Sequence, residues 1–547
     1  MYKRTVIFFL CFIILFGLFL RVYKIDSIPP HPSLDEATIG YNAYSILHTG
    51  KDEFGNRWPI LLRAYDDYRP ALYVYLVIPF VWMLDLTVAA VRMPSVILST
   101  VSLLFFYIAS RRIFKEVGVS KPEALSLMPV FLLAISPWHI YISRLGHEVN
   151  AFQSFFIIGL GLFLNSIKKK QVSMVQLVLS SLFLALSFDA YQSGKIFIPL
   201  FLILLFVCYF KLVKNNWKKF LVASLVGLAV ISPILLVSLQ PEAMLRFKAT
   251  NVFNIPFEVG YQNAQKLIEY KKNSDYVNII LYNRNVVPIV IFIQSFLSHF
   301  TFEFLYKSAE NGQFRIPGFG LMYLMELPLL IGGITFFVLK RKWKWLTFLF
   351  AWYVIGILPS ALTTGAPQPM RSFATIGVLS LLSGTSLGLI KQYKKKNKAF
   401  IVGLASFVCL IFTISISQFY LSYFNVFPQK YSSQFQYGVI QSFEYLDSLK
   451  NKQKKIIISN RGYLTASYMF YLFYKKYDPV TYQKNGGSVS GWLNYDHLIN
   501  NISFTNPQEV KVDGILMVID PTEYKKGNIL KEIKNLNGDR VIEVVER

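Results

Sequence analysis

Two adjacent acidic residues that could act as a general base follow a proline-rich segment near the start of the chain. Asp35 and Glu36 come directly after PPHPSL at residues 29–34. Ser33 and Glu36 fit a capping box, which places both carboxylates in the first turn of a helix, where the helix dipole favours their ionised form. An ionised carboxylate there could deprotonate a substrate hydroxyl. The same pattern is equally typical of two acids that only cap a surface helix.

A second group of charged residues lies in the sequence AYDDYRPALYVYL. Asp66, Asp67 and Arg69 precede a proline and an apolar, aromatic stretch at 71–84, which is shorter than the about 20 residues of a membrane span. One interpretation is a solvated turn before an interfacial helix. The other is that these three side chains line the same pocket as Asp35.

The segment SRLGHEVN at residues 143–150 places three ionisable residues between two apolar stretches. Arg144, His147 and Glu148 would be costly beside a membrane unless they are paired or functional. Arg144 and Glu148 have the i,i+4 spacing of an ion pair on one helix. The alternative is that the three residues serve the chemistry of the site.

Single cations occur at the predicted outer ends of several apolar stretches. Arg92, Lys195 and Arg371 are the clearest examples. Long cationic side chains commonly reach from a span end toward the lipid headgroups. They could also converge on one phosphate through charge-assisted hydrogen bonds. We predict this second role for the three residues, with Arg69 and Arg144 as the next candidates.

The elements that must position these residues are membrane spans. Of the 547 residues, 54% are hydrophobic, and the mean hydropathy is +0.42. Eleven apolar stretches can be drawn as spans, and Lys/Arg clusters fill every other connecting loop, in accordance with the positive-inside rule. This pattern predicts a cytoplasmic N-terminus and outer segments at 24–87, 239–319 and 422–547. The net charge of +25 therefore sets topology and meets membrane lipids, rather than binding nucleic acid.

Two further apolar stretches are excluded as spans because counting just one of them would invert the side of every later basic loop. Residues 71–84 and 286–306 are predicted instead to be juxtamembrane helices in the outer interface. The predicted spans are residues 5–23, 88–110, 124–143, 150–167, 172–189, 195–210, 220–238, one ending at Lys340, two flanking 363–372, and 399–421.

The last part of the chain changes character. KKIIIS at 454–459, DGILMVI at 513–519 and RVIEVVE at 540–546 have the pattern of strands. Residues around 462–476 and 524–536 have the pattern of helices, so we predict a small α/β domain at 422–547. The sequence contains no Walker, GxSxG or HExxH motif.

The order of these motifs resembles that of the GT-C glycosyltransferases. The Asp-Glu pair after the first span, RPALYVYL at 69–76 and AAVRMPSVILS at 89–99 are similar to segments of the protein mannosyltransferases and the lipid A aminoarabinose transferase, of glycosyltransferase family 39. The resemblance covers most of residues 1–210 and, more loosely, the spans to 421. It implies an all-α, polytopic GT-C domain at 1–421, with about 11 transmembrane helices and outer juxtamembrane helices, in the plasma membrane.

The same resemblance implies a reaction. The donor would be a sugar on a polyprenyl phosphate at the outer leaflet, and the acceptor a hydroxyl of a lipid, glycan or protein. Asp35 would be the base, with Glu36 beside it and Glu148 as the second acidic residue of the site. Phosphate is a good leaving group, so one base and one inverting displacement suffice, and the monophosphate gives no strong reason for an obligatory divalent cation.

Two expectations separate this interpretation from its rival, a transporter or lipid flippase. A transporter would show paired interrupted helices and internal symmetry, which we do not find in the sequence. A glycosyltransferase should lose transfer on Asp35→Asn, whereas Glu36→Gln should be milder because Gln can keep the capping-box role.

Overall fold

The computed structural model describes residues 2–65, 67–168, 171–238, 240, 250–254, 257–307, 315–389, 398–449, 455–510, 515–522 and 527–547. The helices are α1 (Tyr2–Val22), α2 (Leu34–Thr49), α3 (Leu72–Leu84), α4 (Val88–Val117), α5 (Pro122–Leu125), α6 (Leu127–Ile135), α7 (Pro137–Ser143), α8 (Glu148–Ser166), α9 (Met174–Ala190), α10 (Gly194–Cys208), α11 (Phe210–Asn215), α12 (Trp217–Ser238), α13 (Phe257–Lys272), α14 (Tyr276–Leu281), α15 (Val287–Ser298), α16 (Phe302–Tyr306), α17 (Glu326–Leu339), α18 (Trp343–Ala361), α19 (Ile376–Thr385), α20 (Lys398–Leu421), α21 (Phe427–Tyr431), α22 (Gly438–Ser448), α23 (Ser467–Tyr474) and α24 (Pro479–Lys484). The strands are β1 (Leu61–Ala64), β2 (Asp67–Pro70), β3 (Ile167–Lys168), β4 (Gln171–Val172), β5 (Ile456–Ser459), β6 (His497–Ile499), β7 (Ile502–Thr505), β8 (Leu516–Ile519), β9 (Asn528–Lys534) and β10 (Arg540–Glu546).

The helical part of the chain is that of a multi-pass membrane protein. Among the described residues, six helices are long and apolar enough to cross a bilayer, and a pair bent by 57° between residues 135 and 137 could form a seventh span. Ten of the predicted spans each fall on one helix, and 124–143 falls on α5, α6 and α7. Four of these, α9, α10, α17 and α19, are shorter than a full span.

The two apolar stretches that we excluded as spans are short helices. Residues 71–84 contain α3, which has 13 residues. Residues 286–306 are divided into α15, with 12 residues, and α16, with five. Each is shorter than the about 20 residues that a bilayer requires. Their length does not distinguish them from α9, α10, α17 and α19, so the assignment of both stretches to the outer interface stays a prediction.

The first half of the bundle is held together by close approach of α8 to α4 and α9. A Cβ added at Gly161 would lie only 2.6 Å from the Phe105 carbonyl oxygen. The Ser180 hydroxyl donates to the Gly159 carbonyl at 2.7 Å. Small residues and polar contacts of this kind are typical of helix packing within membranes. They hold the C-terminal half of α8 against α4 and α9.

The C-terminal part confirms the predicted α/β domain. Six described strands form one mixed sheet in the order β6-β7-β5-β8-β10-β9, in which β5 is parallel to both β7 and β8. The three predicted strands are present, and 462–476 contains α23. The prediction of a helix at 524–536 is wrong, because Asn528–Lys534 pairs with β10 as an edge strand. The helix predicted to end at 421 continues through a π-helical turn at Ser422–Val426 into α21.

Candidate active site

The loop that leads from α1 to α2 is held by two buried arginines. The first is Arg144, whose side chain is fully buried. It donates at 2.8–3.1 Å to backbone carbonyls at the end of α1 and beyond, those of Leu20, Arg21, Lys24 and Ile28. Carbonyls at a helix end lack partners within the helix, so Arg144 acts as a cap for α1. The predicted pair between Arg144 and Glu148 is not formed.

The second is Arg92, which forms a fully buried ion pair with Glu36. Its Nε lies 2.7 Å from Glu36 Oε1 and its Nη2 lies 3.1 Å from Glu36 Oε2. The remaining N–H groups donate to the carbonyls of Ile25, Pro29 and His31. All five N–H donors of Arg92 are therefore used. This corrects our assignment of Arg92 to phosphate binding, because no donor is left for a substrate.

Glu36 is enclosed in the same network. Its carboxylate accepts from the backbone N–H of Ser33 at 2.9 Å and of Gly146 at 2.7 Å, and Ser33 Oγ accepts from the Glu36 N–H. This is the predicted capping box. Burial would raise the pKa of Glu36, but the charge of Arg92 and these hydrogen bonds lower it below its usual value. Glu36 positions the helix start, which corrects our placement of it among the catalytic residues.

Asp35, in contrast, reaches the surface of the site. Its side chain is 38% exposed, and Oδ1 lies 2.9 Å from Arg69 Nη1. Oδ2 lies 3.7 Å from His147 Nε2. Burial of the carboxyl opposes ionisation, but the charge of Arg69 and the contact with His147 outweigh it and hold the pKa of Asp35 well below its usual range. Asp35 is therefore an accessible carboxylate at the first turn of a helix.

Glu148 and Arg69 complete what we term the Asp35 cluster, formed by Asp35, Arg69, His147 and Glu148. Glu148 Oε2 lies 3.2 Å from His147 Nδ1. Arg69 is nearly buried in the β1–β2 hairpin, where it pairs in register with Leu62. The structure thus brings together residues from three separate segments that the sequence indicated one by one.

The turn between α9 and α10 borders this cluster. The Tyr191 ring lies edge-on to the His147 ring, with centroids 6.1 Å apart, and Gln192 Nε2 donates to the Tyr68 carbonyl at 3.2 Å. Lys195 follows in the first turn of α10, and its Nζ donates to Ser238 Oγ at 3.0 Å. Lys195 thus lies three positions after Gln192, which contacts the hairpin that carries Arg69.

The remaining predicted residues have separate surroundings. Arg371 Nη1 donates to Thr363 Oγ1 at 2.6 Å and to the Thr364 carbonyl, in the loop that follows α18. Asp67 Oδ1 accepts from the Tyr68 N–H at the start of β2, and Asp66 lies outside the described residues. Within the described part of the chain, no group of three or more His, Cys, Asp and Glu side chains could hold a metal ion.

One contributor to the site was not predicted. The Tyr65 hydroxyl accepts a hydrogen bond from Thr38 Oγ1 at 2.7 Å and donates to the Leu34 carbonyl at 3.2 Å. It therefore ties the first turns of α2 to the hairpin that carries Arg69. A tyrosine beside two aspartates in a turn gives no signal of this contact in the sequence.

The sequence matches no protein-family model and is similar to no curated protein. Solved structures are nevertheless similar. ArnT from Cupriavidus metallidurans in the apo state has a TM-score of 0.54 at 11% identity, covering 99% of this chain and 98% of that one. The same protein bound to undecaprenyl phosphate has a TM-score of 0.52 at 11% identity, covering 100% and 98%.

The archaeal oligosaccharyltransferase AglB from Archaeoglobus fulgidus, in complex with an inhibitory peptide and a dolichol-phosphate, has a TM-score of 0.50 at 14% identity. The alignment covers 86% of this chain but only 63% of AglB, so the chain spans less than two thirds of that protein. Together these similarities establish the class of fold: the chain has the GT-C fold. Within that fold, its architecture follows that of ArnT over the whole length, including the C-terminal domain.

Proposed function

We propose that the protein is a membrane glycosyltransferase that moves a hexosyl or pentosyl group from a polyprenyl phosphate to a hydroxyl acceptor. The observation that carries this proposal is the position of Asp35, a partly exposed carboxylate held by Arg69 and His147 at the start of a helix. The fold is shared with ArnT bound to undecaprenyl phosphate and with AglB in complex with a dolichol-phosphate. The acceptor is a lipid, a glycan or a protein.

In this reaction Asp35 accepts the proton of the acceptor hydroxyl as its oxygen attacks the anomeric carbon. The new carbon–oxygen bond forms as the bond to the phosphate oxygen breaks, and the polyprenyl phosphate leaves with the electron pair. The anomeric centre inverts. Phosphate needs no protonation to leave, so a single base is sufficient, in contrast to the acid–base pair of glycosidases. Arg69 and His147 orient Asp35, and the Arg69 guanidinium supplies positive charge beside it, so we propose no obligatory divalent cation.

For the donor phosphate we propose Lys195 and Arg371, with Arg69 as a third cation. Arg92 and Arg144 are excluded because backbone carbonyls and Glu36 occupy their guanidinium groups. Lys195 lies in the first turn of α10, and Arg371 lies in the loop that follows α18. These two helices pack together through Phe201 and Trp352, whose ring centroids are 5.5 Å apart.

Lys195→Met and Arg371→Met should each raise the KM for the lipid donor by about tenfold, the effect of losing one hydrogen bond to a charged group. Thermal unfolding should change little, since both cations lie at the edge of the bundle. Arg112→Met is the matched control, because Arg112 pairs with Glu116 of the same helix at 3.0 Å and with no other carboxylate among the described residues. The assay is transfer rate against donor concentration. An unchanged KM in both variants would place the phosphate elsewhere, with Arg69 as the next residue to test.

The proposed site requires α2 and the C-terminal domain to lie outside the cell. In a variant without Cys11, Cys208 and Cys409, new cysteines at the exposed positions Ser448 and Asn485 should react with a membrane-impermeant thiol reagent in intact cells. A cysteine at Lys115, also exposed but in a predicted inner loop, should react only after lysis. The reverse labelling pattern would contradict this orientation.

A further inference from the structure

The C-terminal domain packs directly against the helix that carries Asp35. Gln483 Nε2, in α24, donates to Ser45 Oγ and Thr49 Oγ1 of α2, at 3.0 Å each. A Cβ added at Gly40 would lie only 2.5 Å from the ring of Phe473 in α23. Helix α2 is therefore held on one side by the hairpin and the Asp35 cluster, and on another by the C-terminal domain.

A buried carboxyl group, that of Glu53, lies at this junction. Glu53 is 1% exposed. Its Oε1 accepts from Asn42 Nδ2 of α2 at 3.0 Å, and its N–H donates to Asn42 Oδ1 at 2.9 Å. On the other side, Oε2 lies 2.6 Å from Ser488 Oγ, and the Ser488 N–H donates to the Glu53 carbonyl at 3.1 Å. The Tyr468 hydroxyl also donates to Oε2 at 3.4 Å, so Glu53 is bonded twice to α2 and three times to the C-terminal domain.

The hydrogen-bond partners of the Glu53 side chain among the described residues are all uncharged. The Tyr482 hydroxyl lies 2.9 Å from Ser488 Oγ, so a protonated Glu53 can donate to Ser488 while Ser488 donates to Tyr482. Burial raises the pKa of Glu53 to about 7, although the hydrogen bonds from Ser488 and Asn42 partly oppose the increase. The titratable groups that face it are Asp52 from its own loop, Tyr41 of α2, Tyr65 of the hairpin, Tyr468 and Tyr482 of the C-terminal domain, and His497, which stacks on Tyr468.

We propose that Glu53 is a positioning residue for the reaction: as a neutral acid it joins Asn42 of α2 to Ser488 of the C-terminal domain, and it thereby fixes the helix that presents Asp35. The inference rests on the proposed function. An ionised Glu53 would be a buried charge without a cationic partner, which is costly. Ionisation should therefore loosen the contact between α2 and the C-terminal domain and displace Asp35.

The direction in which the stability of the protein changes with pH follows from the difference in the pKa of Glu53 between the folded and the unfolded state. The pKa of Glu53 in the folded protein, about 7, is above the about 4.3 of an unfolded glutamate. Its contribution to stability is complete below about pH 4.3 and is lost as the pH rises to about 7. In Glu53→Gln this dependence disappears, because the amide stays neutral and can donate to Ser488 as the protonated acid does.

The test compares the wild type, Glu53→Gln and, as a control, Glu444→Gln, which changes an exposed glutamate of the same domain. Two quantities are measured at pH 6 and pH 8.5: transfer rate, and hydrogen exchange of residues 34–49 relative to Glu53→Gln at the same pH. In the wild type and the control, the transfer rate should be at least about threefold lower at pH 8.5 than at pH 6. At pH 8.5 the backbone amides of residues 34–49 should exchange faster in these two proteins than in Glu53→Gln. Glu53→Gln should lose less transfer activity at pH 8.5 than either of these, because the titration of His147 in the Asp35 cluster is common to all three proteins.

Equal pH profiles of the wild type and Glu53→Gln in both measurements would overturn the proposal. If Glu53→Gln does not fold, Ser488→Ala is used instead; it should speed exchange of residues 34–49 at both pH values, and unchanged exchange would overturn the proposal. A wild type without any transfer activity, but with the expected exchange difference, would refute the proposed function and leave the role of Glu53 in holding α2 intact.

Discussion

Asp35→Asn should abolish sugar transfer and leave the protein folded. Asn keeps the size of the side chain but cannot accept the proton of the acceptor hydroxyl. Loss of a positioned general base typically lowers the rate by about 10²–10⁴-fold. The folded state should tolerate the change because the Asp35 side chain is 38% exposed, the Asn oxygen can still accept from the nearly buried Arg69, and Glu148 and Asp67 also lie near that guanidinium. The measurements are transfer rate and thermal unfolding of the same preparation.

An Asp35→Asn enzyme with wild-type turnover would contradict this assignment. The base would then be Glu148, which belongs to the same cluster, or Asp66, which lies outside the described residues. A variant that is inactive because it has unfolded would be equally informative, since it would show that the ion pair with Arg69 is structural.

Glu36→Gln should have the second large effect, on folding rather than on catalysis. The capping-box pattern alone predicts a mild effect, because Gln can fill the same position. The structure reverses this expectation because Glu36 is the only carboxylate that bonds Arg92 among the described residues, and both side chains are buried. Breaking a buried ion pair from one side costs about 3–5 kcal/mol. Little folded protein should be recovered in detergent.

The control for this prediction removes both charges. In Glu36→Gln combined with Arg92→Met no buried charge is left unpaired, so the yield of folded protein should partly recover, although the carbonyls of Ile25, Pro29 and His31 lose their donor. A Glu36→Gln variant with wild-type thermal stability would show that Arg92 finds another partner, and would refute the positioning role of Glu36.

Much of this structure could be predicted from local patterns in the sequence. The length of the apolar stretches predicted where the long helices lie, whereas the exclusion of α3 and the α15–α16 segment as spans stays a prediction. The capping box at Ser33 and Glu36 formed as predicted, because both of its hydrogen bonds are between residues three positions apart. The strands at β5, β8 and β10 formed as predicted because each is a short, mainly apolar run that contains Val or Ile.

Contacts between distant residues were not predictable in this way. Arg92 has the same sequence signature as a cation at a span end, yet its partner is Glu36, 56 residues earlier. Glu53 gave no signal at all, because its partner Ser488 is 435 residues away. The strand Asn528–Lys534 contains residues compatible with a helix, and only pairing with β10 decides its conformation. In each instance the conformation or the partner is determined by a residue that is distant in the sequence and close only in the folded protein.

The central claim is that Asp35 catalyses sugar transfer from a polyprenyl phosphate, and it is tested most directly with purified protein and a radiolabelled polyprenyl-phosphate sugar in membranes. We expect the wild type to release free polyprenyl phosphate and to label an acceptor, and Asp35→Asn to do neither. Movement of the intact lipid across the membrane with the sugar still attached would instead identify a flippase. Equal transfer by Asp35→Asn and the wild type would contradict the account.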